Sequence, residues 1–342
     1  MKTTALHGKA GRLMESNIFG KGTEESYEDY FVRLFEHKKE YGLNTVQIAE
    51  LLNSVNGLDY GECAYRKEYA AFNRGRIYER KKNEDGVDER ILFLSDFHYP
   101  YQLDAGVAAE YAGRVDTLVL NGDLVDMYSI SSFDKTHRQN PIDEIVGCRQ
   151  YIIDLINILH PARVIATYGN HEMRFKNYLA KHIDVDMLGF FPETPLDMIF
   201  THGFRRYDNL SKTSVWYEPL ETVYDEGVHI IYEGNWHGKI GRTIFAHPLS
   251  YSSGMLKTAQ KAVEYFFRTD RDFDTVVMAH THRLGSYIQG NIHIYEQGAF
   301  CKVDKMSYAD GKLTLPQQKG MLYLCQDKDG NIMPDKTKLI EI

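Results

Sequence analysis

The run ILFLSDFH, residues 91–98, decides the fold, because four apolar residues stop abruptly before an acid and a histidine. Four later runs repeat this arrangement, and they are TLVLNGDLVD at 117–126, RVIATYGNHE at 163–172, TIFAHP at 243–248 and TVVMAHTH at 275–282. Short apolar runs that end at polar residues are typical of strands that deliver a ligand from their ends. The five runs therefore predict strands that bring acids, one asparagine and several histidines to a single site.

The order of elements around these runs predicts the fold class. The predicted strands are 91–94, 117–120, 163–167, 228–232, 242–246 and 275–278, and the predicted helices between them are 104–113, 142–159 and about 256–268. The first five of these elements alternate as βαβαβ, which gives mostly parallel strands covered by helices. Later strands and turns indicate a second sheet that is partly antiparallel. We expect a four-layer-type α/β sandwich of two mixed sheets flanked by helices, with a site at the carboxyl ends of the strands.

A small all-α module is predicted before this α/β domain. Ser26 with Asp29 can cap a first helix that ends at Gly42, a second begins at Thr45, and a third covers roughly residues 61–80. A charged segment at 81–89 is interpreted as a linker. The predicted organisation is a flexible tail at 1–22, a helical, helix-turn-helix-like module at 23–85, and the α/β domain at 86–342 with an insertion at about 174–235.

The third helix of the module carries most of the module's positive charge. Residues 61–82 contain seven lysines and arginines against three glutamates, with tyrosine and phenylalanine interleaved, although the whole chain has a formal charge of −8. Three short helices with a basic last one resemble a helix-turn-helix unit, whose last helix enters the major groove of DNA. The candidate phosphate contacts are Arg66, Lys67 and Arg74. Nucleic acid is thus an expected partner; the alternative is a helical bundle with a solvated basic face.

Composition excludes several other classes. With 43% hydrophobic and 26% charged residues the chain is typical of a soluble globular protein. No apolar run approaches the roughly 18 residues that span a bilayer, and the N-terminus lacks the apolar core of a signal peptide. The four cysteines are far apart, without a CxxC pair, which argues against a zinc knuckle or a disulfide framework. We therefore expect a cytoplasmic protein with no membrane contact.

Taken in order, the motifs DxH, GDxxD, GNH(D/E), a single histidine and HxH resemble the calcineurin-like metallophosphoesterase family over about residues 90–300. No motif position is missing. With its N-terminal module, the chain looks like family members encoded in phage and bacterial genomes. The resemblance therefore implies that the protein acts in the cytoplasm of a bacterial cell or of a phage-infected host.

The resemblance implies a metal-dependent phosphoric ester hydrolase with two divalent ions. Carried over position by position, the ligands are Asp96, His98 and His282 for one metal, Asn170, His247 and His280 for the other, and Asp123 bridging both. Oxygen and imidazole ligands without thiolates suit manganese, with iron, zinc or nickel as alternatives. Two such cations lower the pKa of the water between them, and the bridging hydroxide attacks phosphorus in line.

Further residues near the motifs receive roles by the same resemblance. His171 is implied to protonate the leaving oxygen or stabilise the transition state, and Asp126 to fix the tautomer of His171. Glu172 is expected to support the ligands or the fold, and Arg174 is a candidate contact for the substrate phosphate. The histidines interpreted as bystanders are His137, His160, His202, His237 and His293.

Two features narrow the substrate. Met127 occupies the position where the Ser/Thr protein phosphatase branch has a phosphate-binding arginine. Only about 60 residues follow His282, which leaves little room for the capping domain of the recombination-repair exonuclease branch. The leading hypothesis is a phosphodiesterase acting on nucleic acid. The alternatives are a small-molecule or nucleotide phosphatase, a cyclic-nucleotide phosphodiesterase, and a DNA-binding regulator with a vestigial site, against which the complete ligand set argues.

Overall fold

The structure is a computed structural model. The chain forms two compact units, Met1–Tyr78 and Glu79–Ile342. The structure describes residues 19–342 except 39–40, 84–85, 136, 209–210, 225–226, 251, 253, 255 and 306–315, and it does not describe the side chains of 77–83. Most of the tail predicted at 1–22 lies outside the described residues. No helix in these described ranges is both long enough and apolar enough to cross a bilayer.

The first unit contains the helices α1 (Tyr27–Glu36) and α2 (Thr45–Asn56) and most of α3 (Glu62–Asn83), whose last five residues belong to the second unit. The predicted cap of α1 is confirmed, because the Ser26 hydroxyl accepts the backbone N–H of Asp29 at 3.0 Å. Helix α1 was predicted to end at Gly42, but it ends at Glu36. Their shared core includes ten buried residues, which are Phe19, Tyr30, Phe31, Leu34, Leu43, Ile48, Ala49, Leu51, Leu52 and Tyr65.

Helix α3 is longer than the sequence predicted. It continues to Asn83 and so includes the first residues of the segment at 81–89 that was interpreted as a linker. Arginine, lysine and glutamate are good helix formers, and nothing in the run ERKKN interrupts a helix. The charged composition was therefore a helix signal as much as a linker signal.

The second unit contains thirteen strands among its described residues. They are β1 (Glu89–Leu94), β2 (Thr117–Asn121), β3 (Arg163–Thr167), β4 (Phe204–Asp208), β5 (Thr213–Tyr217), β6 (His229–Tyr232), β7 (His237–Ile240), β8 (Thr243–Ala246), β9 (Thr275–Met278), β10 (Leu284–Gln289), β11 (Ile292–Gln297), β12 (Gly320–Gln326) and β13 (Lys338–Glu341). The longer helices are α4 (Pro141–Leu159), α5 (Met173–His182) and α6 (Lys257–Thr269). Short helical turns lie at Ala105–Tyr111, Tyr128–Ile130, Val185–Phe190, Pro195–Asp197, Met198–His202, Leu220–Val223 and Val303–Lys305.

Two mixed sheets form the centre of this unit. The six-stranded sheet has the order β13-β12-β1-β2-β3-β6, and β1, β2, β3 and β6 run parallel. The five-stranded sheet has the order β10-β11-β9-β8-β7, in which β8, β9 and β11 run parallel. The edge strands of both sheets pair antiparallel to their neighbours, apart from β6. The predicted sandwich of two mixed sheets, with a separate helical region before it, is confirmed.

Alternation along the strands creates the layers. In β1, Leu92 and Leu94 join the core beneath helix α4, whereas Ile91 and Phe93 join a second core that also contains Phe245 of the other sheet. A third core joins Val263 of helix α6 to the five-stranded sheet. Both faces of each sheet are covered, which explains why the central strands are continuous apolar runs in the sequence.

Two segments differ from expectation. The helix predicted at 104–113 is a 3-10 helix at Ala105–Tyr111, capped by Asp104, although the segment is rich in alanine. Gly106 lies in its first turn and Gly113, with a positive φ, follows it, so the helical stretch between them is short. The segment at 174–235 is more regular than predicted, because it contains most of α5 and the β4–β5 hairpin. The strand predicted at 228–232 is confirmed as β6, which pairs parallel to β3.

Candidate metal centre

The five motif runs converge because they follow neighbouring parallel strands, β1, β2 and β3 in one sheet and β8 and β9 in the other. Three groups of acid and imidazole atoms each lie within 4.8 Å of one another, and they are Asp96 with His98 and His282, His98 with Asp123 and His171, and Asp123 with His247 and His280. Six of the seven residues proposed from sequence as metal ligands therefore belong to these groups, together with His171.

The contacts within the groups are short. The Nε2 of His282 lies 3.1 Å from Asp96 Oδ1, and it lies at the same distance from the Nε2 of His98. The Nε2 of His247 lies 3.2 Å from Asp123 Oδ2. All of these side chains are buried. Imidazole nitrogens that face each other beside carboxylates form an arrangement that a shared cation would stabilise.

Asn170, the seventh proposed ligand, is held against the same centre. A Cβ on the preceding Gly169 would lie 2.2 Å from Asp123 Oδ1 and 2.7 Å from His247 Nε2, so the backbone there approaches both ligands as closely as glycine permits. The Oδ1 of Asn170 is buried and accepts no hydrogen bond from any described residue. Such an atom carries a desolvation cost that a bound cation would offset.

The ligand loops are held in an unusual backbone conformation. Five ligands have positive φ angles, which are 54° at Asp96, 44° at His98, 51° at Asp123, 74° at His280 and 51° at His282. Residues with a Cβ rarely adopt this region, at a cost of about 1 kcal/mol or more each. The Asp96 N–H donates to the Gly122 carbonyl at 3.0 Å and the His98 N–H to the Asp123 carbonyl at 2.9 Å, which holds the first two loops together.

Glu172 holds the loops after β2 and β3 in register. Its buried carboxylate accepts four backbone N–H groups, which belong to Asp123 (3.0 Å), Leu124 (2.7 Å), Val125 (3.2 Å) and Gly169 (2.7 Å). A carboxylate has the acceptor positions for four such donors. Glu172 thus positions Asp123 and the loop that carries Asn170, which is the supporting role expected for it.

The orientation of the His247 ring is set by a hydrogen bond on the side away from the centre. Its Nδ1 lies 2.8 Å from the carbonyl oxygen of Asn121, an acceptor, so Nδ1 carries the proton and Nε2 faces the centre. This is the usual way in which a metal-ligating histidine is fixed. Asn121 also donates to Gln297 Oε1 at 3.2 Å and to the Ala246 carbonyl at 3.3 Å, which ties the ends of β2 and β8 together.

The electrostatics of the centre favour a bound cation. Burial lowers the pKa of His98 to about 4 and that of His280 to about 3, so both imidazoles are neutral at pH 7 and offer lone pairs. Burial acts in the same direction on His247, but the carboxylates of Asp123 and Asp96 outweigh it and raise its pKa to about 10. The two acids thus draw a positive charge into the centre. A divalent cation would supply that charge and release the proton.

His171 lies beside the ligands with a partner at each ring nitrogen. Its Nδ1 is 2.9 Å from Asp126 Oδ1, and its Nε2 is 2.9 Å from Nη2 of Arg174. Burial opposes ionisation of Asp126, but hydrogen bonds with His171 and His98 outweigh it and lower the pKa of that carboxyl. Because a guanidinium only donates, Nε2 of His171 accepts here and Nδ1 donates to Asp126. The three residues proposed for proton transfer and phosphate contact are therefore in direct contact.

Met127, the residue that follows the GDxxD motif, lies in the protein interior. It is buried, has a φ of 51°, and donates its N–H to Oε2 of Glu144 at 2.6 Å. Burial raises the pKa of Glu144 to about 8. Arg174 is therefore the guanidinium that the structure places beside His171, and it reaches this position from helix α5 rather than from the GDxxD loop.

Arg66, Lys67 and Arg74, the proposed phosphate contacts of the module, lie on α3 in the first unit. Lys67 and Arg74 are exposed, whereas Arg66 is half-buried and pairs with Glu62 at 3.4 Å. Arg76 of the same helix pairs with Glu36 of α1 at 2.8 Å. Part of the basic charge counted in the sequence is thus neutralised within the module.

Two supporting residues were missed from the sequence, Asn121 and Glu144. Asn121 ends an otherwise apolar strand and is fully buried. Glu144 falls on the same face of α4 as Cys148 and Leu155, at helical spacing, and is also buried. A polar residue at a position that periodicity assigns to the core was the available signal for both.

A model described as calcineurin-like phosphoesterase matches residues 89–284, and a model described as the YonJ N-terminal domain matches residues 15–84. The SPbeta prophage-derived uncharacterized protein YonJ of Bacillus subtilis (strain 168) is 33% identical over 63 residues, which are 18% of this chain and 16% of that protein. The match therefore spans less than a fifth of the relative's length.

Solved structures with a similar fold include a novel archaeal phosphodiesterase, 14% identical, which aligns over 74% of this chain and 99% of its own with a TM-score of 0.35. Vacuolar protein sorting 29 from Cryptosporidium parvum is also 14% identical, over 75% of this chain and 98% of its own, with a TM-score of 0.34. Vps29 from Entamoeba histolytica, in complex with zinc, is 12% identical over 74% and 98%, with a TM-score of 0.34.

Proposed function

This chain belongs to the calcineurin-like phosphoesterase family, and from that premise we propose that it is a two-metal phosphodiesterase that cleaves nucleic acid. The observation that carries the proposal is the convergence of Asp96, His98, Asp123, His247, His280 and His282 in one buried centre, with Asn170 on the adjoining loop. Buried acids and imidazoles this close together are costly without a cation.

Two divalent ions, manganese foremost, would fit this donor set, polarise the phosphoryl oxygens and activate the attacking water. The first would be held by Asp96, His98 and His282, the second by Asn170, His247 and His280, with Asp123 shared. The chain's own contribution is to hold these donors rigidly, through strained loops, Glu172 and Asn121. Rigid placement removes the cost of reorganising the site during the reaction.

Proton transfer to the leaving group falls to His171. Asp126 holds the Nδ1 proton of His171 and so fixes which nitrogen can act. Nε2 faces Arg174. A substrate phosphate that attracts the guanidinium would free Nε2 to take up a proton from water, and Asp126 would stabilise the resulting imidazolium, which could then give the Nε2 proton to the leaving oxygen. Arg174 would then contact a phosphoryl oxygen, which a guanidinium binds well.

Nucleic acid is proposed as the substrate because of the chain's N-terminal module. Lys67 and Arg74 are exposed on α3, and phosphate contacts of this kind supply sequence-independent affinity. Met127 in place of a phosphate-binding arginine argues against a protein phosphatase. These features support a phosphodiesterase that holds a polyanionic backbone.

The second candidate is a phosphatase or cyclic-nucleotide phosphodiesterase for small molecules. The observation that favours it is the pairing of Arg66 with Glu62 and of Arg76 with Glu36, which reduces the free positive charge on α3. Both candidates use the same centre and differ only in the role of the module.

A substrate panel tests the proposal. Purified protein with Mn²⁺ is incubated with single- and double-stranded DNA and RNA, bis(4-nitrophenyl) phosphate, 4-nitrophenyl phosphate and a cyclic nucleotide. We expect cleavage of at least one nucleic acid and of the chromogenic diester. Turnover of small esters with no cleavage of any nucleic acid would favour the second candidate, and no turnover at all would overturn both.

A further inference from the structure

The segment Tyr128–Lys135, which follows the GDxxD motif, is a braced loop. The Tyr128 hydroxyl donates to the Asp134 carbonyl at 2.9 Å. The Lys135 ammonium donates to the carbonyls of Ser131 at 2.8 Å and Phe133 at 2.5 Å. These bonds brace the backbone around Phe133, whose side chain is not packed into a core.

Phe133 presents an open aromatic face. Its side chain is 60% exposed, and one face lies 5.8 Å from the guanidinium carbon of Arg174. By contrast, Tyr128 already has both the Lys135 ammonium, at 5.0 Å, and the parallel ring of His137, at 4.5 Å, against its ring. Among the described residues, Arg174 is the only cationic or aromatic side chain that packs against the Phe133 ring.

Arg174 connects this ring to the reaction centre. Its Nη2 lies 2.9 Å from Nε2 of His171, and its Nη1 donates to the Asp126 carbonyl at 2.6 Å. Phe133 is thus one side chain removed from the histidine that faces the leaving oxygen. If His171 Nε2 protonates the leaving oxygen, as proposed, that oxygen lies on the Arg174 side of the imidazole, which is also the side of Phe133.

We propose that Phe133 is a stacking platform for the nucleobase on the leaving-group side of the substrate. This inference rests on the proposed function and adds the chemical class of the leaving group, which is a nucleoside. A base stacks on an aromatic ring whatever the identity of the base, and the Arg174 guanidinium leaves most of the Phe133 side chain open to it. The loop is ordered beforehand, so little entropy is lost on binding.

Calorimetry with adenosine 5′-monophosphate and ribose 5-phosphate tests the platform, because the two ligands share a phosphate and a sugar and differ in the base. With Mn²⁺ present, we expect the full chain to bind the nucleotide at least about fivefold more tightly than the sugar phosphate, and Phe133→Ala to remove that preference. Phe133→Trp should keep it. Phe190→Ala, which removes an 80% exposed ring from another segment, should also leave it unchanged.

An equal affinity for the two ligands in the unaltered chain, or a preference that survives Phe133→Ala, would overturn the platform. Turnover of bis(4-nitrophenyl) phosphate, measured on the same samples, reports separately on the proposed function. If turnover is present without the base preference, the inference fails while the phosphodiesterase stands.

Discussion

His171 is the residue whose role is most open to a chemical test. We expect His171→Asn to lower kcat on a dinucleotide by about 10²–10⁴-fold, because the alkoxide leaving group then departs without a proton. The loss on bis(4-nitrophenyl) phosphate should be much smaller, since nitrophenolate needs no proton. Steady-state kinetics on both substrates measure the difference, and His202→Asn, at an exposed site, serves as the control. Equal losses on both substrates would contradict proton donation by His171.

Glu144 makes the stability of the second unit depend on pH. Burial raises its pKa in the folded protein from 4.5 to about 8. Between these pH values the unfolded chain releases the Glu144 proton and the folded chain keeps it. The free energy of unfolding is therefore highest below pH 4.5, and it falls by up to about 1.4 kcal/mol per pH unit as the pH rises toward 8. Urea unfolding at pH 5, 6.5 and 8 should show a steeper decline for the unaltered chain than for Glu144→Gln. Parallel declines would show that Glu144 ionises normally in the fold.

The sequence indicated which residues could be metal ligands, but it did not indicate most of the contacts that hold those residues in place. A ligand is visible in the sequence because its residue type and its place after a strand are both local features. The positive φ of Asp96 or His280 and the hydrogen bonds of Asn121 depend on contacts between segments far apart in the chain. Glu172 was expected to be supportive, but its four N–H partners could only be found in three dimensions.

At the level of elements, helix α4 packs closely on the loop after β1. A Cβ on Gly147 would lie 2.2 Å from the Tyr99 hydroxyl and 2.3 Å from the ring carbon that bears it. We expect Gly147→Ala to lower the free energy of unfolding by about 1–3 kcal/mol, because the ring or the helix must move. Calorimetric unfolding measures the change.

Gly75 of helix α3 is the matched control for that substitution. Nothing lies within 4 Å of a Cβ placed there. Gly75→Ala should raise stability by about 0.5–1 kcal/mol, since alanine loses less backbone entropy in a helix. If Gly147→Ala is as harmless as Gly75→Ala, the close contact between α4 and Tyr99 is wrong.

Elements with strong periodicity were predicted well, and those set by tertiary contacts were not. The predicted strands 163–167 and 275–278 match β3 and β9, because a buried parallel strand is a short apolar run with clear ends. The strand predicted at 228–232 is β6, but its place as a parallel edge strand beside β3 was not predicted, and the helix predicted at 104–113 is a 3-10 helix. The sheet edge that a strand joins depends on contacts between segments far apart in the chain, which leave no periodic signal.

At the scale of the whole molecule, we expect the second unit to carry out hydrolysis and the N-terminal module to contribute only to nucleic-acid binding. Removing residues 1–84 is expected to leave turnover of bis(4-nitrophenyl) phosphate within about twofold, because every proposed metal ligand lies in Glu79–Ile342. Cleavage of nucleic acid should fall at least about tenfold and depend less on salt, since phosphate contacts are lost. Rates at several salt concentrations measure both effects. Unchanged cleavage of nucleic acid would remove the module from substrate binding.

The two-metal centre is the central claim, and metal content measured together with turnover tests it most directly. The unaltered chain and Asp123→Asn are equilibrated with Mn²⁺, freed of unbound ion, and analysed by mass spectrometry of the metal and by hydrolysis of bis(4-nitrophenyl) phosphate. We predict about two manganese ions per unaltered chain, a lower content in the variant, and a loss of turnover of at least about a hundredfold. An unaltered chain that retains no manganese, or a variant that keeps both ions and full turnover, would contradict the account.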